Sequence, residues 1–370
     1  MGDTIKERNS SIELLKLLAI LLIGINHVVM SIPADYGFVI GEATENLNVF
    51  VLTIFRHFGA IGNVIFMICS SWFLIDSDSV KVKKISHLVI DIWVFGVTVL
   101  LAFLVFGGFS IPLGDKVKSL FPTTFCNNWY CTCYILIYAA HRILNMIIRG
   151  LSQKRLLCLT IVLSILYFAY ATVSWSFWFY SHLMCFVTVY ILVGYVKLYA
   201  KNAVNNKRLN IRLMLICLAL LLVSEITLNA LGLHIGMFSS RTTALVKNGN
   251  PIIVLLALSL FRLFSNTRFT NRVINRLSGA SLMVYVFHEN ILIAKYLRPW
   301  IWSRIYERFG SDLVVVHTLL YAFCLLCISF AVGLLYSLTL QKLMHTISEI
   351  IVDRICRLYL LIETKILRLS

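Results

Sequence analysis

Residues 11–30 read SIELLKLLAILLIGINHVVM, an apolar run interrupted by few polar side chains. A helix that crosses a bilayer needs about 20 mainly apolar residues, because the hydrocarbon layer is about 30 Å thick and each residue advances about 1.5 Å. The run therefore predicts a transmembrane helix. Since it contains Glu13, Lys16 and His27 and no small-residue cleavage site follows it, we expect it to be retained rather than removed as a signal peptide.

The composition of the whole chain extends this prediction. Of its 370 residues, 59% are hydrophobic and only 14% are charged, and the mean hydropathy is +0.86. Soluble domains carry about a quarter charged residues, so the composition excludes a soluble enzyme. The formal net charge of +16 would usually suggest nucleic acid as a partner. Because the cations flank apolar runs, we expect membrane lipid as a partner instead, and no nucleic acid.

Comparable apolar runs recur along the chain, separated by charged or turn-forming stretches. They predict an all-α fold: a polytopic integral membrane protein with about ten transmembrane helices. The ten runs lie near residues 11–30, 49–75, 85–108, 129–148, 156–173, 175–196, 211–232, 250–265, 277–294 and 313–341.

The distribution of Lys and Arg predicts the orientation of these helices. Twenty-two cations fall in segments assigned to one side of the membrane, together with both termini, and eight fall on the other. Cytoplasmic segments retain positive charge during insertion, so we expect both termini in the cytoplasm and a multi-pass protein of the cytoplasmic membrane. Residues 1–345 form one predicted transmembrane domain. Residues 346–370 place cations among apolar residues, which predicts an amphipathic tail on the inner leaflet.

The first run carries ionisable side chains where they are costly. A charged group near the bilayer centre costs about 2.5–3.5 kcal/mol, so it requires a partner or a water-filled cavity. At 100° per residue, Glu13, Lys16 and His27 fall on one stripe of the helix, with Lys16 and His27 about 16 Å apart along its axis. The structural alternatives are that Lys16 is a snorkelling anchor, that Glu13 is an interfacial residue and that His27 is a hydrogen-bonded core histidine.

Two other runs also contain polar faces. Arg56 and Asn63 are seven positions apart and share one face of the second helix, where Arg56 either joins helices or holds an anionic phosphate or a carbonyl oxygen. In the ninth run, His288 lies at a depth similar to that of His27, and Tyr285 lies one turn before it on the same face. Glu289 follows His288 directly. The alternative for this group is a polar cluster at a helix end.

At these residues the chain resembles the acyltransferase-3 family of polytopic O-acyltransferases. The family has an Arg, ten residues and a His in its first helix; this chain has Lys16, ten residues and His27. Two departures are Lys16 in place of Arg and Ser71 in place of the usual Gly. Further matches are the stretch NVIFMICSSWFL at 63–74, the basic loop with Lys81, Lys83 and Lys84, the Trp129–Tyr130 start of the fourth helix, and the element Tyr285, His288, Glu289 and Asn290.

The resemblance implies transfer of an acyl group, most often acetyl, from acyl-CoA to a sugar hydroxyl of a polysaccharide or a lipid-linked oligosaccharide. Acetyl-CoA would act as a co-substrate, with no bound cofactor. With the layout of charges, it assigns roles to individual residues. Catalysis falls to His27, Glu13 and His288; donor binding to Lys16, Arg56, Lys83 and Lys84; acceptor binding to Asn63, Tyr285, Glu289, Asn290 and Trp129.

Two other classes of function stay open at this stage. A transporter or flippase for lipid-linked sugar or a small anionic solute also needs charged residues in a helical bundle, but such proteins often contain Pro- or Gly-broken helices, and all five prolines here lie in predicted loops or at helix ends. A membrane sensor or scaffold is the second. No His pair with an acidic partner has metal-ligand spacing on one helix, so we predict no metal site.

Overall fold

The computed structural model describes residues 8–174, 181–200 and 205–367. These residues are predominantly α-helical and include no β-strand, which confirms the predicted all-α membrane fold. In chain order the α-helices are α1 (Ser10–Val29), α2 (Leu47–Ile54), α3 (Arg56–Leu74), α4 (Val82–Phe106), α5 (Leu113–Leu120), α6 (Trp129–Gly150), α7 (Gln153–Ser164), α8 (Ala171–Val173), α9 (His182–Tyr199), α10 (Lys207–His234), α11 (Pro251–Ser265), α12 (Arg272–Gly279), α13 (Ser281–His288), α14 (Arg298–Phe309), α15 (Val314–Thr339) and α16 (Gln341–Leu367).

The predicted runs correspond closely to these helices. Within the described residues, eight helices are long and apolar enough to cross a membrane. The eighth run forms α11, whose 15 residues are short for a span. The ninth is not one straight helix, because residues Arg272–His288 and Ile293–Phe309 form a pair bent by 66°. The start of the sixth run, 175–180, lies outside the described residues.

Helix α1 lies at the centre of the bundle. It is the most buried of the candidate spans, and it packs most extensively against α3. The two helices run antiparallel, because Gly59 near the start of α3 lies against Asn26 near the end of α1, whereas Gly62 lies against Ala19. A Cβ atom at either glycine would overlap these neighbours, so both positions require Gly for the close approach of the two helices.

The C-terminal helix α16 packs against the beginning of α4 rather than lying alone. Lys83 on α4 forms ion pairs with Glu349 at 3.1 Å and Asp353 at 3.7 Å. Two turns further along α4, the buried carboxylate of Asp91 is 3.0 Å from Nε2 of His345. The tail helix begins at Gln341, and residues 368–370 of the predicted tail lie outside the described residues.

Candidate active site

The end of α1 meets the bend between α13 and α14 in a cluster of four ionisable side chains. Nδ1 of His27 lies 3.1 Å from Nε2 of His288 and 2.8 Å from Oε2 of Glu289. The same oxygen of Glu289 lies 3.2 Å from Nη1 of Arg298. His27, His288 and Arg298 are buried, and Glu289 keeps 21% of its side chain exposed.

The local sequence explains why the chain bends here. Helix α13 ends at His288, and the Asn290 side chain accepts a hydrogen bond from the backbone N–H of Leu292 at 2.9 Å, which starts the next helical segment. A π-helical turn, Ile293–Leu297, then leads into α14, which has Pro299 in its first turn. The bend brings Arg298 back to Glu289, nine positions earlier in the chain.

The hydrogen-bond partners define the tautomer of His27. Nδ1 of His288 lies 2.6 Å from the carbonyl oxygen of Val284, which can only accept, so this nitrogen carries a proton. In the neutral ring, Nε2 of His288 is therefore an acceptor. Its neighbour, Nδ1 of His27, must donate, and Nε2 of a neutral His27 is left unprotonated. In the neutral pair, Nε2 of His27 is therefore the nitrogen that can accept a proton without the loss of a hydrogen bond between the two rings.

The Glu289 carboxylate is placed to stabilise a positive charge on His27. An imidazole that accepts a proton becomes a cation, and a carboxylate 2.8 Å away lowers the free energy of that cation in a low-dielectric interior. Arg298 in turn balances the carboxylate when His27 is neutral. Both Arg298 and Glu289 would be costly to bury alone.

A cavity of about 240 Å³ approaches this cluster from the opposite end of the bundle. Lys16 and Lys84 lie in its wall at the end towards the start of α1, and Tyr285 lies in its wall near His27. The ring centroids of His27 and Tyr285 are 6.3 Å apart, so His27 lies just beyond the cavity. The other lining residues are Ile20, Ile23, Asn63, Phe66, Ser70, Leu88, Tyr130, Tyr134, Ser278, Gly279, Ser281 and Leu282.

The cavity wall contains buried hydroxyl groups that make no hydrogen bond with any described residue. These are the hydroxyls of Tyr130, Ser278, Ser281 and Tyr285, on residues that are at most 8% exposed. A buried polar atom without a partner costs about 1–3 kcal/mol. The cavity is therefore suited to a ligand, or to water, that supplies hydrogen-bond partners along its length.

The cations at the far end of the cavity differ in their contacts. Nζ of Lys16 lies 2.6 Å from Oε2 of Glu13, and the Lys16 side chain is 24% exposed. Nζ of Lys84 lies 4.6 Å from the centre of the Tyr138 ring. Glu13 is about 21 Å from His27 along α1, so the carboxylate beside His27 is Glu289 rather than Glu13.

Several predicted site residues lie elsewhere. Lys83 pairs with α16 and is absent from the cavity wall, although Lys84 beside it lines the cavity. Asn290 is a buried helix-capping residue. Trp129 stacks on His182 with ring centroids 4.0 Å apart, outside the cavity wall. Arg56 lies at the His27 end of α3, remote from Lys16.

Comparison with known families identifies the chain. A family model described as an acyltransferase domain, Acyl_transf_3, matches residues 9–338. The chain belongs to the acyltransferase-3 family. This membership confirms the resemblance seen in the sequence, and it makes the protein a multi-pass membrane acyltransferase. A search of curated proteins and a search of solved structures found no match.

Membership of the acyltransferase-3 family also bears on the transporter alternative. The bend at residues 289–292 is a break in a membrane helix beside a polar site, a feature that transporters use as well. The 277–288 stretch contains no Pro, and its one Gly is Gly279, well before the break. The positions of the prolines therefore did not predict the break. The family match favours acyl transfer at this site.

His27, His288 and Glu289 also form a candidate metal site, because one ligand atom from each lies within 4.8 Å of the others. Two histidines and a carboxylate are the protein ligands of many catalytic zinc sites. The 3.1 Å contact between His27 and His288 is a hydrogen bond, and the Glu289 carboxylate already lies within ion-pair distance of His27 and of Arg298. Both features favour a cluster held by a hydrogen bond and ion pairs in this acyltransferase.

Sequence reasoning missed Arg298 and two of the three cavity serines, Ser278 and Ser281. Arg298 lies outside the ten predicted apolar runs, and no helical periodicity links it to Glu289 because a bend separates them. One signal for it was present: an Arg directly before Pro299, at the start of a helix. The serines share the start of the ninth run but looked like ordinary small helix residues.

Proposed function

We propose that this acyltransferase transfers an acetyl group from acetyl-CoA to a sugar hydroxyl of a cell-surface polysaccharide or its lipid-linked precursor. The observation that carries the proposal is the pairing of His27 with Glu289 and His288 beside a cavity with cations at its other end. A basic imidazole nitrogen and a route for an anionic donor are what transfer from a thioester requires.

The proposed reaction uses Nε2 of His27 as the general base. A sugar hydroxyl is a weak nucleophile at neutral pH, so its proton passes to Nε2 as its oxygen attacks the thioester carbonyl carbon. The resulting imidazolium is stabilised by Glu289. When the carbon–sulfur bond breaks, the thiolate of CoA takes the proton from His27, which returns the ring to its neutral state.

Charge that develops on the carbonyl oxygen requires a hydrogen-bond donor. We assign this role to the hydroxyl of Tyr285, because it lines the cavity, is buried and has no partner among the described residues. Tyr285 is on the same helix as His288, one turn before it. A preorganised donor of this kind contributes about 2.7–4 kcal/mol to the stability of a transition state.

The donor is proposed to enter from the cytoplasm at the Lys16 end, consistent with the excess of cations in the segments predicted to lie on that side of the membrane. The phosphates of CoA would meet Lys16 and Lys84, and the slender arm would occupy the cavity past Ser278 and Ser281. The cavity is smaller than the about 300–1,000 Å³ typical of sites that enclose a whole ligand, so we propose that the nucleotide stays outside it and that the acyl group is short.

The acceptor is proposed to arrive from the other face of the cytoplasmic membrane, towards which α1 ends just after His27. This arrangement lets the thioester reach His27 from one side of the membrane and the alcohol reach it from the other. It requires no bound cofactor and no metal.

The test uses the purified protein in lipid vesicles with radiolabelled acetyl-CoA and purified polysaccharide from cells that lack the gene. We expect base-labile label in the glycan and free CoA in equal amounts. If labelled glycan does not form while solute crosses the vesicle membrane without acetyl-CoA consumption, the protein is a transporter and the proposal is wrong. Loss of ester-linked acetate from surface glycan on gene deletion, followed by NMR, is the matching cellular measurement.

A further inference from the structure

Arg56 lies on the acceptor side of the proposed reaction centre. Because Gly59 contacts Asn26, Arg56 is about one helical turn beyond the level of Asn26 and His27, in the direction away from Lys16. Its distance from Lys16 along the bundle axis is therefore on the order of 20 Å. This depth removes Arg56 from the phosphates of a donor bound at Lys16, the role that the sequence suggested.

Arg56 also shares one face of α3 with two residues of the cavity wall. Arg56, Asn63 and Ser70 are spaced by seven residues, which is within about 20° of two full turns, and Asn63 and Ser70 line the cavity. Asn63 donates to the Asn248 side chain at 3.3 Å. Moving along α3 from Ser70 through Asn63 to Arg56 therefore leads past the reaction centre to the side from which the acceptor comes.

The guanidinium of Arg56 has no carboxylate partner among the described residues. No hydrogen bond or ion pair joins it to any described residue, and its Nε atom is buried without a partner. Other cations of the bundle interior have polar partners: Lys16 pairs with Glu13, Lys197 with Asp76 and Arg298 with Glu289, and Arg262 donates to the Asn205 side chain. A half-buried, unpaired cation inside a membrane bundle is costly, and such residues mark ligand sites.

We propose that Arg56 binds an anionic group of the acceptor glycan, a carboxylate or a phosphate, next to the hydroxyl that is acylated. The inference rests on the proposed function and narrows its substrate to an acidic glycan. A guanidinium presents a planar pair of N–H donors that matches both anions. Since Arg56 is only about one turn beyond His27, the anion belongs to the reacting sugar or to its neighbour.

The test compares acceptors that differ only in charge. One pair is a uronic-acid glycan and its carboxyl-reduced form, and a second is a phosphate-bearing glycan and its dephosphorylated form. We expect wild-type KM to be at least about tenfold lower for the charged member of one pair, and the responding pair identifies the anion. In Arg56→Gln, that difference disappears while KM for acetyl-CoA is unchanged, and Arg56→Lys restores part of it.

Arg142→Gln is the matched control, because Arg142 is an exposed arginine on a different membrane helix. Two results for Arg56→Gln would overturn the proposal: equal loss of transfer to charged and neutral acceptors, or lower thermal stability with unchanged selectivity. Either result would mean that Arg56 stabilises helix packing or contacts lipid headgroups. Equilibrium binding of the same glycans is measured in parallel. Selective binding without any transfer would refute the proposed function and leave the Arg56 site standing.

Discussion

Nδ1 of His27 lies 3.1 Å from Nε2 of His288, although 261 positions separate the two residues in the chain. The contact joins the end of α1 to the end of α13. Because His288 uses its other nitrogen on the Val284 carbonyl, the contact makes His27 a donor through Nδ1 and leaves its Nε2 free. The pair thus selects one tautomer of the proposed base before any substrate binds.

Replacement of His27 by Gln is expected to lower the rate of acyl transfer about 10²–10⁴-fold, because the variant has no group that can accept the hydroxyl proton. The protein should still fold, since Gln can hydrogen-bond to His288. The rate is measured with saturating acetyl-CoA, and folding by size-exclusion chromatography and melting temperature. His234→Gln, at an exposed helix end, is the control. A His27→Gln protein with full activity would remove this residue from the mechanism.

The Glu289–Arg298 pair allows stability and activity to be separated. Glu289→Gln leaves a buried guanidinium without its carboxylate, which we expect to cost about 3–5 kcal/mol of unfolding free energy and also to lower the transfer rate. The double variant Glu289→Gln/Arg298→Met removes both charges, so it should regain most of the stability but not the activity.

Thermal unfolding and transfer rates of the single and double variants form the measurement. If the double variant recovered activity together with stability, Glu289 would serve only to hold the fold. The reverse pattern, full stability in Glu289→Gln, would show that Arg298 is well solvated without its partner.

Lys16→Gln is expected to raise KM for acetyl-CoA about tenfold, equivalent to about 1.4 kcal/mol, because it removes the cation and leaves Glu13 facing the donor phosphates. Lys16→Arg should retain the wild-type value. KM for the donor should also rise with ionic strength in the wild type, since this attraction is screened by salt. Lys154→Gln, an exposed cation, is the control. A change confined to KM for the acceptor would contradict the assignment.

A chelator is expected to leave activity unchanged, because the His27–His288–Glu289 cluster is interpreted as hydrogen-bonded. The measurement is transfer rate after treatment with 1,10-phenanthroline, together with elemental analysis of the purified protein. Stoichiometric zinc, with activity lost on its removal and regained on its return, would instead make the three side chains ligands.

Asp115 makes a pH-dependent contribution to the stability of the fold next to the bend. It accepts hydrogen bonds at 2.6 Å from Lys295 and from Tyr296, both in the π-helical turn that follows the bend. These donors hold the pKa of the Asp115 carboxyl below its ordinary value. A lowered pKa in the folded state means that the contact stabilises the fold above pH about 4 and that this stability is lost as the pH falls through the lower, folded value.

Asp115→Asn should therefore lower the melting temperature at pH 7, and the difference from wild type should shrink below pH about 4. Melting curves in one detergent at both pH values are the measurement, with the exposed Asp312→Asn as control. A difference that stays constant across this range would mean that the Asp115 contact does not depend on ionisation.

The sequence predicted those features of the site that lie on a single straight helix. The spacing of Lys16 and His27 placed a cation and a base at two depths of α1, and the structure puts the first in the cavity wall and the second beside Glu289. The helical periodicity of α3 likewise predicted that Arg56 and Asn63 share one face. Such relationships follow from 3.6 residues per turn and need no tertiary information.

Contacts across a bend or between helices were beyond that reasoning. The pairing of Glu289 with Arg298 depends on the bend between α13 and α14. Asn290 caps the helical segment that follows this bend, and no proline inside the predicted run indicates it. The different positions of the Lys83 and Lys84 side chains depend on the docking of α16. Lys83 pairs with Glu349 on α16, whereas Lys84 lines the cavity. The depth of Arg56 follows only when α3 is known to run antiparallel to α1.

The mutual neutralisation of Glu289 and Arg298 has an energetic consequence for the whole turnover. With both histidines neutral, the centre holds no net charge. In the proposed reaction, the acceptor on one face of the membrane loses a proton and gains the acyl group, and the CoA thiolate on the other face takes up that proton. Each compartment therefore ends the cycle with the charge it began with, and the exchange is electroneutral. On the proposed mechanism, collapsing the membrane potential leaves the equilibrium of transfer unchanged, and the thioester alone drives the outward passage of the acyl group.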